Sequence, residues 1–139
     1  MSTTLLVIAG VIVLFILYSI FNYRRIKNAP EVANSPSVKV LSDKNFSHQI
    51  KSGVTLVDFW ASWCMPCKMM APVINEVAES VNGSASVGKL DVEKHRSIAA
   101  RYKIRNIPTM VLFRNGKEVE RFVGAKSKDF LVKQILKAN

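Results

Sequence analysis

From Ser2 to Tyr23 the chain carries no Asp, Glu, Lys, Arg or His, a block of 22 residues that splits the sequence into two unlike parts. The run from Leu5 through Leu17 is apolar on every face, as contact with lipid requires. As a helix, 22 residues rise about 33 Å, against a hydrocarbon core of about 30 Å. Tyr18 and Tyr23 fall toward one end, where aromatic rings suit a membrane–water interface. A secretory signal peptide would show basic residues before the block, a shorter apolar run and a small-residue cleavage site. Here nothing basic precedes the block and no A-x-A pattern follows it. The expectation is a retained transmembrane anchor over residues 1–23, meeting the bilayer through residues 2–23. Arg24, Arg25 and Lys27 follow the span, and positive flanks stay in the cytoplasm. The expected arrangement is therefore N-terminus out and the rest of the chain in the cytoplasm, with the extracytoplasmic side as the alternative.

Residues 24–37 read as a basic juxtamembrane segment and a Pro-containing linker (NAPEVANSPS over 28–37) without apolar periodicity. The remaining 102 residues, 38–139, suffice for one hydrophobic core but leave no room for a second catalytic domain. Two cysteines exclude a disulfide-rich secreted scaffold. The net charge is +10, of which residues 38–139 carry +8. Those basic residues are interspersed with acids (Asp91, Glu93, Lys94, Arg96; Lys117, Glu118, Glu120, Arg121), and no basic run is interleaved with aromatics. The charge thus reads as a solvated surface, with no nucleic-acid partner.

Within 38–139 the pattern alternates. Val38–Leu41 is a short strand candidate, and Asp43 is placed to cap a helix running to about Lys51, ended by Gly53. Val54–Trp60 is almost continuously apolar and suits a buried central strand. Met70, Val73, Ile74, Val77, Ala78 and Val81 recur at helical spacing up to Gly83. Ser86–Asp91 reads as a strand and Lys94–Tyr102 as a short helix. Thr109–Arg114 and Lys117–Val123 are strands joined by Asn115-Gly116, a hairpin signal. Ser127 is placed to cap a last helix. The order β-α-β-α-β-α-β-β-α implies an α/β fold with a central mixed sheet flanked by helices.

Both cysteines lie in Trp63-Cys64-Met65-Pro66-Cys67, after the buried strand and at the start of the amphipathic helix. Unpaired backbone N–H groups and the dipole at a helix N-terminus stabilise a thiolate. Cys64, at that position, is expected to be an exposed nucleophile of lowered pKa, with Cys67 about one turn further in. Pro66 fits the first turn, where a missing N–H costs nothing. A purely structural disulfide would close too short a loop to stabilise much. Zinc needs four ligands, and the remaining soft candidates, His48 and His95, have no fitting spacing and read as surface residues. Inert core cysteines fit poorly with a helix start. Redox chemistry is the favoured reading, without a metal.

The stretch Val57-Asp58-Phe59-Trp60-Ala61-Ser62-Trp63-Cys64-Met65-Pro66-Cys67-Lys68 resembles the active-site segment of thioredoxins. Ala71-Pro72, Lys89-Leu90-Asp91, Ile107-Pro108-Thr109, Asn115-Gly116 and Val123-Gly124 match in the same order. The resemblance spans 38–139 and implies the thioredoxin fold and protein-disulfide reduction. Cys64 would attack a substrate disulfide and Cys67 would resolve the mixed disulfide. The resemblance makes Asp58 the proton acceptor beneath Cys67, with Lys89 modulating it. A carboxylate inside an apolar strand is independently expected to have a raised pKa. Pro108 matches the family's cis-proline, and Trp63, Met65, Pro66, Ile107, Pro108 and Gly124, with Ala125 beside it, resemble the substrate groove. Trp60 reads as core packing, and Trp63 as a flank that shields the sulfurs. The family further implies no bound cofactor, electrons from an external, thioredoxin-reductase-like donor, protein disulfides as substrates, and a monomer. Met65 and Asn106 stand where the family usually has Gly, which leaves the reduction potential open. The alternatives are an extracytoplasmic disulfide-maturation oxidoreductase of the same fold, or a non-catalytic tethered binding module.

Overall fold

A computed structural model describes residues 2–28 and 30–139 and divides the chain into two compact units, 1–30 and 31–139. The first unit is α1 (Thr3–Lys27), of which Thr3–Arg25 is long and apolar enough to cross a membrane. No part of that apolar window is buried against protein.

In the second unit the elements follow the expected order: β1 (Val38–Val40), α2 (Phe46–Ile50), β2 (Val54–Trp60), α3 (Met65–Val81), β3 (Ser86–Asp91), α4 (Arg96–Arg101), β4 (Thr109–Arg114), β5 (Lys117–Val123) and α5 (Lys128–Ala138). The strands form one sheet in the order β1-β3-β2-β4-β5. β1, β3 and β2 are parallel, and β4 and β5 are antiparallel, with a bulge where Leu112 and Phe113 pass β5. Central β2 is buried along almost its whole length because helices cover both faces. Alternation sends Leu56, Met110 and Leu112 into one core with Met70, Ile74 and Val77 of α3 and Leu131 and Ile135 of α5. It sends Val57, Phe59, Val111 and Phe113 into the other core, with Phe46 and Ile50 of α2 and Ile98 of α4. Asp58 and Lys89 are register partners on neighbouring strands. By the same period of two, both fall on the α3 face.

Ser127 caps α5 as its position suggests, its Oγ accepting the Phe130 N–H at 3.3 Å. Asp43 does not cap α2, which starts only at Phe46 behind Asn45. The Asp43 carboxylate instead accepts the Ser97 hydroxyl and meets His95 Nδ1, each at 2.8 Å, and these contacts lower its pKa. His95 is consequently partly buried rather than a free surface residue. α4 is shorter than its sequence pattern, because Asp91 Oδ1 accepts the N–H groups of Glu93 and Lys94 and holds them in a turn. The linker expected to run to Ser37 belongs to the folded unit from Glu31 onward. Asn75 of α3 accepts the Ser35 N–H and donates to the Ala33 carbonyl, both at 2.9 Å.

Candidate active site

β2 ends at Trp60, and the chain turns through Ala61 to Trp63 into the N-terminus of α3. Cys64 is the N-cap of that helix, in extended conformation, and its Sγ accepts the backbone N–H of Cys67 at 3.3 Å. Pro66 occupies the first turn, where no hydrogen bond is lost. The two sulfurs are joined as a disulfide, with Cα atoms 5.2 Å apart. The local sequence therefore does two things at once. It aims the open end of a helix at Cys64, and it sets a second sulfur one turn away.

Cys64 is not the exposed group its position suggests: in the disulfide form it is 4% exposed and Cys67 3%. Ala61 buries with the pair, and Trp60, Val92 and Ile107 pack against that cluster. Val92 carried no sequence signal, because it reaches the site from the end of β3. Trp63 and Met65, the chain neighbours of Cys64, are each about half exposed. Across the site the Ile107–Pro108 peptide is cis, and the Gly124 N–H donates to the Pro108 carbonyl at 2.9 Å. Gly124 adopts φ +81°, a conformation that favours glycine. Pro108 is buried and Ile107 partly so, while Asn106 and Pro66 are exposed.

Asp58 of β2 is fully buried, and neither carboxylate oxygen has a hydrogen-bond partner among the described residues. Burial pushes its pKa up to about 7, against the pull of the Lys89 ammonium. Lys89 is 4% exposed, and its ammonium makes no hydrogen bond to Asp58. Its Nζ lies 4.5 Å from the centre of the Trp60 ring, donates to Asn34 Oδ1 at 3.1 Å, and sits 3.9 Å from Glu31 Oε1. Trp60 is partly buried: its side chain packs against the Ala61, Cys64 and Cys67 cluster, and its ring also meets the Lys89 cation. No group of three His, Cys, Asp or Glu side chains among the described residues is placed to hold a metal ion.

A dithiol in this setting can pass two electrons to a partner disulfide and become a disulfide itself. Fold and site together define a dithiol–disulfide exchange protein. The thioredoxin family model matches residues 37–137. The chain is 48% identical over 100 residues to the thioredoxin of Staphylococcus saprophyticus, covering 72% of this chain and 95% of that one. It is 49% identical over 94 residues to the thioredoxin of Staphylococcus haemolyticus, covering 68% and 89%. Among solved structures, a single-site mutant of a thioredoxin from Halobacterium salinarum NRC-1 superposes with a TM-score of 0.69 at 34% identity, covering 77% of this chain and 96% of that one. The chain belongs to the thioredoxin family and is a thiol–disulfide oxidoreductase. Residues 1–36 lie outside the family match.

Proposed function

We propose that the protein is a membrane-tethered protein-disulfide reductase. The observation that carries this reading is Cys64 Sγ at the open N-terminus of α3, already accepting a backbone N–H, with Cys67 bonded to it one turn on. In the reduced protein the Cys64 thiolate attacks one sulfur of a substrate disulfide, forming a mixed disulfide and releasing the other sulfur as a thiolate. Asp58 takes the proton of the Cys67 thiol, and the Cys67 thiolate attacks Cys64 Sγ. This expels the second substrate thiolate and leaves the Cys64–Cys67 disulfide. The substrate gains two electrons and the dithiol loses two. An external dithiol or flavin-dependent reductase returns them, with no cofactor bound to this chain.

Lys89 modulates Asp58 through its charge, and the extended substrate segment lies along Trp63, Met65, Pro66, Ile107, Pro108 and Gly124. The apolar exposed rings and thioethers beside the sulfurs support that placement. Residues 2–23 span the bilayer, residues 24–30 lead out of it, and the monomeric catalytic domain faces the cytoplasm. The apolar helix and the basic trio behind it support this arrangement.

Reduction of insulin disulfides by the full chain in mild detergent tests the catalytic claim. The wild type precipitates insulin chains in the presence of dithiothreitol, Cys64→Ser abolishes the acceleration, and Cys67→Ser accumulates mixed disulfides through Cys64. Equal rates for wild type and Cys64→Ser would leave only the tethered binding module.

A further inference from the structure

Lys89 is a charged side chain, almost wholly buried, on a strand between two others. A buried ammonium is costly unless its charge is compensated. Asp58, its neighbour on β2, does not hydrogen-bond it. Among the described residues the polar partners of the ammonium come from the segment before β1: Asn34 Oδ1 at 3.1 Å and Glu31 Oε1 at 3.9 Å, with the Trp60 ring beneath. That segment is itself fixed. Asn75 binds the backbone on both sides of Asn34, at Ala33 and at Ser35, so the Asn34 side chain is presented to β3 from α3. Residues 31–35 lie outside the stretch matched by the thioredoxin family model.

We propose that Glu31 and Asn34 are positioning residues for the exchange reaction, holding the Lys89 ammonium beside Asp58 so that the segment leading from the span governs proton transfer from Cys67. This rests on the role of Asp58 argued above. The charged groups gathered here are Asp58 of β2, Lys89 of β3 and Glu31 of the strap. Lys39 of β1 turns its ammonium to Ser86 Oγ at 3.2 Å, and Asn75 of α3 is neutral.

The two strap residues act with opposite sign. Asn34 is a neutral acceptor that keeps the ammonium in place. Without it the flexible lysine stem moves its charge toward water, and Asp58 ionises less readily. Glu31 offsets part of the lysine charge. Without that carboxylate the ammonium acts on Asp58 undiminished, and Asp58 ionises more readily. Loosening of the fold would move both variants the same way.

The test follows the Asp58 carboxyl carbon by NMR against pH in the reduced full chain in mild detergent, together with the pH profile of disulfide exchange. Asn34→Ala should raise the Asp58 midpoint, and Glu31→Gln lower it, each by about half a unit, or about threefold in the ionised fraction below the midpoint. The acid limb of the exchange rate moves with each. In a Lys89→Met background the Asn34→Ala shift should vanish, because that variant acts only through the ammonium, a result that a purely structural strap would not give. Shifts of the same sign, no shifts, or an Asn34→Ala shift that persists without Lys89 overturn the proposal. Asp58→Asn separates the two layers. If it removes the acid limb while the strap variants leave the midpoint unmoved, only the strap proposal fails. If it leaves the acid limb in place, the role of Asp58 fails and the strap proposal with it.

Discussion

Asp58 is held in a place where its charge is unwelcome, and the cost is measurable as a dependence of stability on pH. The unfolded chain ionises this carboxyl near 3.8, whereas the folded chain holds the proton until about 7. Between those values the unfolded state has released a proton that the folded state keeps. Folding therefore loses stability as pH rises, by about 1.4 kcal/mol per unit, and the loss levels off above the folded value. Over the whole interval this is on the order of 4 kcal/mol. Asp58→Asn has no such proton to lose. Guanidinium unfolding of the oxidised full chain, followed by the fluorescence of Trp60 and Trp63, should show the variant gaining on the wild type by that order between pH 4 and pH 8. Parallel curves across that range would mean that Asp58 is not held protonated. The sequence made Cys64, Cys67 and Asp58 legible because each is a residue type out of place: thiols at a helix start, an acid in an apolar strand. Glu31, Asn34 and Asn75 carried no such mark. Their importance comes from contacts 40 to 58 residues apart, and a linker composition conceals that.

Helices and strands were readable where a local pattern decides them and obscure where a tertiary contact competes. Ser127 and Asp43 are both good capping residues ahead of helical sequence. Ser127 has no better partner and caps α5, whereas Asp43 has His95 and Ser97 within reach and leaves α2 to start later. The five strands were visible from short runs such as the nearly continuous apolar Val54–Trp60 and from the Asn115-Gly116 turn, but the order β1-β3-β2-β4-β5 needs the crossovers to be known. Gly88 illustrates what a strand pattern hides. It lies in β3 between Val87 and Lys89, and a Cβ there would stand 2.7 Å from Leu41 Cδ1 and 2.8 Å from Leu41 Cγ. Leu41 is itself buried at 1% exposure, so it has little room to withdraw. Gly88→Ala should cost about 1–3 kcal/mol through overpacking, read as a lowered denaturation midpoint of the full chain. Trimming the neighbour in Gly88→Ala/Leu41→Val should return part of it. An unchanged midpoint in the single variant would mean that β3 shifts freely, and the close approach would then not matter to the fold.

At the scale of the molecule, the proposed tether raises the question of which side of a membrane would receive the redox centre. The apolar helix Thr3–Arg25 has basic residues at its C-terminal end, where Arg24 and Arg25 close it and Lys27 follows. Retaining lysine and arginine near a span on the cytoplasmic side is the strongest sequence determinant of orientation. On the proposed reading the domain remains on the side that holds Arg24, Arg25 and Lys27, where a reducing pool keeps thiols available. A C-terminal fusion to a fluorescent protein that matures only in the cytoplasm should then be bright, and a fusion to a phosphatase active only outside should be silent. The charges themselves can be moved. Replacing Arg24, Arg25 and Lys27 by Gln and introducing Ser2→Lys and Thr3→Lys should invert both reporters without touching the catalytic domain. If the unaltered chain lights the outer reporter, orientation is set by something other than these charges. The same dithiol would then work against an oxidising compartment, as a maturation factor rather than a reductase.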